Sequence, residues 1–124
     1  MPVPFEELTG LSVTVDQLVH QPHTSTHPGG SHSFVYFLSI HNDSEETVTF
    51  VGRKWIVADS HGELLVIEGD GIVGQTPRLA PGQTFSYNSF HGIHSTSTAK
   101  GTFFGSTESG RPVCVRVPEF RMDL

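Results

Sequence analysis

Apolar and polar positions alternate with a period of two along most of this chain, the spacing of strands with one buried face. In LSVTVDQLVH, from Leu11 to His20, Leu11, Val13 and Val15 fall on one side and Ser12, Thr14 and Asp16 on the other, which predicts a half-buried strand. In SFVYFLSIHN, Phe34, Tyr36, Leu38 and Ile40 share one parity while Val35 and Phe37 take the other, so this strand is expected in the centre with both faces partly covered. Thr47 to Val51 predicts a short strand joined to the previous one as a hairpin through the polar turn from Asp43 to Glu46. Arg53 to Asp59 and the ELLVIEG run predict a second hairpin closed by Asp59-Ser60-His61-Gly62. Thr84 to Phe90 and the KGTFFGST run follow, and the last strand, PVCVRVPEF, puts Val113, Val115 and Val117 on one face and Cys114 and Arg116 on the other, with Pro118 as its expected stop.

Helical apolar spacing is absent apart from one turn's worth at Pro4 to Leu8. About eight short strands broken by Gly, Pro, Asn or Asp predict an all-β chain, an antiparallel β-sandwich with a small barrel as the alternative closure. Between Gln21 and Ser33 the sequence QPHTSTHPGGSHS has no periodicity and predicts a long loop.

With 124 residues the chain is one domain's length. Nine Phe, one Trp and two Tyr let a small number of side chains build the core. Cys114 is the sole cysteine, so no internal disulfide forms. No apolar run approaches the roughly 20 residues of a membrane span, and MPVPFEELTG lacks the features of a secretory signal, so a cytoplasmic location without membrane attachment is expected. The Asn42-Asp43-Ser44 sequon therefore reads as a turn.

The net charge of −6 lies wholly in residues 1–52, which contain six acids and no Lys or Arg. Between Asp70 and Glu108 there is no acid, while Arg78 and Lys100 are present. This balance argues against a nucleic-acid groove, which needs a larger basic cluster, but leaves a phosphate or pyrophosphate contact as an expectation.

The stretch EGDGIVGQTPRLAPG, Glu68 to Gly82, spaces Gly69, Gly71 and Gly74 as GxGxxG. A dinucleotide site needs a helix opening at the third glycine and an acid about 20 residues on. Pro77 and Pro81 prevent the first and the acid-free run removes the second. The glycines are expected to supply positive φ and close backbone approach in an irregular crossover or bulge; weak anion binding by exposed N–H groups with Arg78 and Lys100 is the functional alternative.

Of eight histidines, His20, His23, His27 and His32 fall in or beside the long loop; without CxxC or HExxH spacing they predict solvated side chains and no metal site. Cys114 in mid-strand reads as an inert thiol, and Asp59, Ser60 and His61 are too contiguous for a triad, so no catalytic residue is expected. Trp55 is expected at the centre of the core, with the neighbouring Arg53 and Lys54 as solvent-facing charges.

Taken in order, the Phe34 to Asn42 run, RKWIVADSHGEL, EGDGIVGQTPRLAPGQTFSY and VRVPEF resemble an ApaG domain over roughly residues 11–120, leaving 1–10 as an extension and 121–124 as a tail. The resemblance implies an immunoglobulin-like sandwich of the fibronectin-type-III kind, with no cofactor and no established enzymatic activity. It also implies protein binding, as in F-box adaptors and a DNA-polymerase-interacting protein, and for some bacterial members a link to cobalt resistance and magnesium efflux. The resulting expectation is a non-enzymatic interaction module for a protein partner. A nucleotide-phosphate binder and, more weakly, a hydrolase of phosphorylated nucleotides are the alternatives, and exposed sheet edges could pair two copies.

Overall fold

The computed structural model describes residues 4–22 and 32–124. Among the described residues there are nine strands, β1 (Glu6–Glu7), β2 (Leu11–Pro22), β3 (His32–Asn42), β4 (Val48–Asp59), β5 (Leu64–Asp70), β6 (Arg78–Leu79), β7 (Thr84–Ile93), β8 (Ser97–Thr107) and β9 (Pro112–Met122). One sheet has the order β1-β9-β8-β4-β5, with β6 pairing the first residues of β4 on the side where β5 pairs the rest; the other has the order β2-β3-β7. All pairings are antiparallel except β1 with β9. Two sheets with separate edges make this a sandwich, the immunoglobulin-like arrangement expected, and the barrel alternative falls away.

Several local expectations change. The run at Pro4 to Leu8 is not helical: Glu6 and Glu7 form β1 against Val113 and Cys114, so the sheet claims backbone groups that a single turn would leave unpaired. The ends of the expected loop are strand, since Pro22 pairs with His32 and Gln21 with Ser33; residues 23–31 lie outside the described part. β3 and β4 are not a hairpin. They sit in different sheets, and the turn held by Asn42 is a crossover between them. Thr47 to Val51 and Arg53 to Asp59 are one strand interrupted by a bulge between Phe50 and Gly52. β9 does not stop at Pro118 but continues to Met122, because Pro118 lies where the register against β8 shifts, and a bulge has no need of its missing N–H.

Trp55 is 2% exposed and centres the core, with ring centroids 5.1 Å from Tyr36, 4.8 Å from His91 and 5.8 Å from Phe120. Gly101, opposite it on β8, makes the space: a Cβ there would stand 2.7 Å from the Trp55 ring. Asn42 is fully buried yet satisfied, its amide donating to the carbonyls of Glu46 and Leu79 at 2.8 Å and its Oδ1 accepting from Ser44. The sequon is thus spent on the crossover, as the turn reading expected.

Candidate functional site: the glycine turn and the cleft beside it

The glycine stretch is an excursion on one sheet edge. β5 and β6 both pair β4, and the chain between them, from Gly71 to Pro77, loops out and returns. Gly71 donates its N–H to Val51 at 2.7 Å and Phe50 donates to Pro77 at 2.9 Å, so the loop is fastened to β4 at its bulge. At its tip Ile72 and Gln75 exchange backbone hydrogen bonds around Val73 and Gly74, which have φ of 50° and 76°. Positive φ at both central residues is the type I′ hairpin turn. Gly74 suits it; Val73, β-branched and half-exposed, is held there against its preference.

Each glycine has its own reason. Gly71 has φ of 67°, and a Cβ on it would lie 2.6 Å from the Gln75 carbonyl oxygen. Gly69 has ordinary φ but faces Arg53, whose Nη2 would lie 2.6 Å from an added Cβ. The expected roles, positive φ and close approach beside a bulge, are borne out. The crossing itself comes later, after Leu79 through Pro81 and Gly82 to β7.

Arg53 is the organising side chain. It lies two residues from Trp55 on the same strand face and so points inward, while Lys54 points out to Glu68 at 3.5 Å. The expectation that both cations face solvent holds for Lys54 alone. Arg53 Nη1 donates to the carbonyls of Asp70 at 2.7 Å and Gly71 at 3.2 Å, pinning the guanidinium to the glycine stretch. Beside it is a cavity of about 170 Å³ lined by Tyr36, Arg53, Trp55, Ile67, Val73, Tyr87, Ser89, Phe90 and His91. It lies between β5 and β7, which are the free edges of the two sheets.

The other titratable groups there are neutral at pH 7. Burial pushes the phenols of Tyr36 and Tyr87 up, against a smaller opposing effect of Arg53. Burial pulls His91 down to about 4. Its Nε2 is enclosed without a hydrogen-bond partner among the described residues. An enclosed polar atom left so costs about 1–3 kcal/mol.

The residues the sequence singled out as an anion site are not gathered in one place. Arg78 faces Thr49 across the β4–β6 pair and donates to Glu108 through Nε and Nη2, at 2.9 and 2.5 Å. Lys100 faces Ile56 and lies 3.9 Å from Glu119. Seven positions of β4 separate the two, about 20 Å at strand rise. The acid-free run is therefore neutralised by acids from elsewhere in the chain.

Asp59, Ser60 and His61 form a turn in which Asp59 Oδ1 accepts the N–H groups of His61 and Glu63, both at 2.9 Å. Cys114 is buried, and burial pushes its thiol up, away from the reactive thiolate. His20 and His32 are strand residues rather than loop residues: their rings share a hydrogen bond of 2.9 Å, and His20 stacks on Phe34 with centroids 4.6 Å apart. His23 and His27 lie outside the described residues. Among the described residues no three His, Cys, Asp or Glu side chains group to hold a metal, and no helix is long and apolar enough to cross a membrane.

Residues 22–108, spanning the glycine excursion and the cleft, match the family model described as the ApaG domain. The chain belongs to the ApaG family. Protein ApaG of Bdellovibrio bacteriovorus is 35% identical over 105 residues, covering 84% of this chain and 83% of that one. Protein ApaG of Deinococcus radiodurans is 30% identical over 113 residues, covering 90% and 88%. Among solved structures, the X-ray structure of structural-genomics target SoR45 has a TM-score of 0.83 at 25% identity, covering 93% of this chain and 87% of that one. A crystal structure described as an ApaA protein from Bordetella pertussis has a TM-score of 0.73 at 28% identity and covers 98% of both chains. None of these names states a reaction or a ligand. In this ApaG chain the strands run past the matched segment on both sides, from Glu6 to Met122.

Sequence reasoning missed Arg53 and His91 as members of one site. The signal was parity. Arg53 shares its face with Trp55, and His91 follows Phe85, Tyr87 and Ser89 at steps of two along β7.

Proposed function

We propose that this ApaG-family protein is an interaction module without chemistry of its own, which receives an extended segment of a partner protein along β5. The observation that supports this reading is that Leu64, Leu65 and Val66 are 66%, 55% and 51% exposed on an edge strand. A free edge offers a row of unpaired N–H and C=O groups, and soluble proteins usually guard such edges with charge or proline. Here three apolar residues stand in succession, the arrangement that strand addition uses: main-chain bonds give affinity and side chains on either face give selectivity. The glycine excursion at the end of β5 would fix where an added strand stops. In this reading the connection to divalent cations implied by the resemblance passes through the partner. The anion reading finds less support, because Arg78 and Lys100 lie far apart and each stands beside a carboxylate.

The test is affinity capture from native lysate with the wild-type chain and with Leu64→Lys/Val66→Lys, after checking that both melt alike. Proteins retained by the first and lost by the second support the reading. Identical recovery by both overturns it.

A further inference from the structure

We propose that the cleft between β5 and β7 is a binding site for a small aromatic carboxylate, with the carboxylate on Arg53 and the ring between Trp55 and Tyr87. This goes beyond strand addition and does not depend on it.

Four observations converge. The first is size: the cavity is about 170 Å³, while a dry cavity of about 150 Å³ accepts benzene, so one six-membered ring fills the space. The second is charge. Among the lining residues Arg53 alone is charged at pH 7, since burial keeps His91, Tyr36 and Tyr87 neutral, and one fixed positive charge against aromatic walls complements one negative charge and disfavours cations. The guanidinium is also preorganised. Nη1 is spent on the Asp70 and Gly71 carbonyls, which orient the fork, and Nε and Nη2 have no protein acceptor among the described residues. Gly69, where any Cβ would meet the guanidinium, is what lets Arg53 lie there.

The third observation is His91, 5% exposed, which lines the cavity and carries the unpartnered Nε2. In the tautomer protonated on Nε2 it donates to a carboxylate oxygen, giving that buried atom the partner it lacks. The fourth is the rim. Phe90 and Val73 line the cavity and are 60% and 51% exposed, so the site opens to solvent between them, and Val73 is held at φ of 50°. A strained, apolar rim over an aromatic interior holding one fixed charge is an arrangement that folding does not require.

The carboxylate and ring could belong to a free aryl acid or to an aromatic residue at the C-terminus of a peptide. A titration of the ¹⁵N-labelled full chain, followed by amide and indole shifts, uses sodium benzoate, N-acetyl-phenylalanine, benzyl alcohol and pyrophosphate as separate probes. Saturable shifts at the Trp55 indole and at β5 and β7 amides with benzoate are expected, with binding at least tenfold weaker for benzyl alcohol and pyrophosphate. Tighter binding of N-acetyl-phenylalanine than of benzoate would assign the site to peptide C-termini; the reverse would assign it to free acids. Arg53→Gln should weaken benzoate at least tenfold, and Leu64→Lys/Val66→Lys should leave it unchanged, which separates this site from the edge-strand reading. If Arg53→Gln does not fold, the wild-type series decides alone. Equal binding of benzoate and benzyl alcohol, equal binding of pyrophosphate, or no saturable shift in the cleft up to tens of millimolar would overturn the proposal and leave His91 to an ordered water.

Discussion

The two sides of this sandwich are closed differently. On one side β2 packs against β9, and Val13, Val115 and Val117 are buried there or beside it. On the other, β5 and β7 stand apart with cavities between them, and Leu64, Leu65, Val66 and Phe90 are exposed. One sequence thus finishes one seam and leaves the other open. The open side instead contains a pinned guanidinium, a histidine whose Nε2 has no partner among the described residues, and a valine at positive φ. The lesson is that stability resides in the closed side and the core, while departures from it gather where the sheets part.

Trp55 joins the two regions, packed in the core on one flank and walling the cavity on the other. Trp55→Ala should therefore cost about 3–5 kcal/mol, read as a fall in the urea midpoint with unchanged slope. A loss below about 1 kcal/mol would mean that the cleft side is already loosely packed, and the contrast between the sides would have to be redrawn.

The next largest effect is with pH. His91 has a folded pKa of about 4 against 6.5 for the free group, because burial disfavours its charge. The unfolded chain takes up the proton first, so the stabilisation present above pH 6.5 is lost as pH falls from 6.5 to 4 and changes no further below. The whole excursion is about 3 kcal/mol at most, and less where the cleft admits water. Asp16 acts in a lower window: hydrogen bonds from Ser39 and then Thr14 hold its carboxyl below 3.8, so its contribution is lost as pH falls below that value. Urea titrations at pH 7, 5.5, 4 and about 2.5 on the wild type and His91→Phe separate the two, since the variant should lose the change between pH 7 and 4 and keep the one below pH 4. An unchanged pH profile in the variant would show that His91 is not the titrating group.

Gly71→Ala comes third. With φ of 67° and the Gln75 carbonyl 2.6 Å from the new Cβ, it should cost about 2 kcal/mol. Gly74→Ala has positive φ but open space around it, and should cost about 1 kcal/mol. Thermal melting of the pair measures how much of the cost is steric, and equal losses would remove the Gln75 contact from the account.

How far the sequence foretold this depends on which physical signal carried each part. Period-two alternation located the long strands, and Pro77 and Pro81 with the missing acid kept the glycine stretch from being read as a dinucleotide site. Partners across strands were beyond it: the turn from Asp43 to Glu46 reads as a hairpin, and only long-range packing makes it a crossover. Arg78 and Lys100 looked like free cations because Glu108 and Glu119 reach them through folding. The cleft was half legible. Parity places Arg53 on the face of Trp55, although the charge of Arg53 led it to be read as solvent-facing, and no local rule says that β5 and β7 would be left unsealed.

The smallest effect tests the comparison most directly, because it uses one chemical change in two places. Val117 on β9 is 5% exposed and Val66 on β5 is 51% exposed. Truncation to alanine removes the same two methyl groups from each. At Val117 both leave a packed interior, so Val117→Ala should cost about 2 kcal/mol; at Val66 they leave a surface that water already reaches, and the loss should stay within about 0.5 kcal/mol. The difference of about 1.5 kcal/mol holds only while β5 is uncovered. If β5 pairs with a second copy of the chain, Val66 is buried in the dimer and its cost rises towards that of Val117 with increasing protein concentration. Chemical denaturation of both variants at low and high micromolar concentration therefore reads, from one residue, whether the open edge is open in solution.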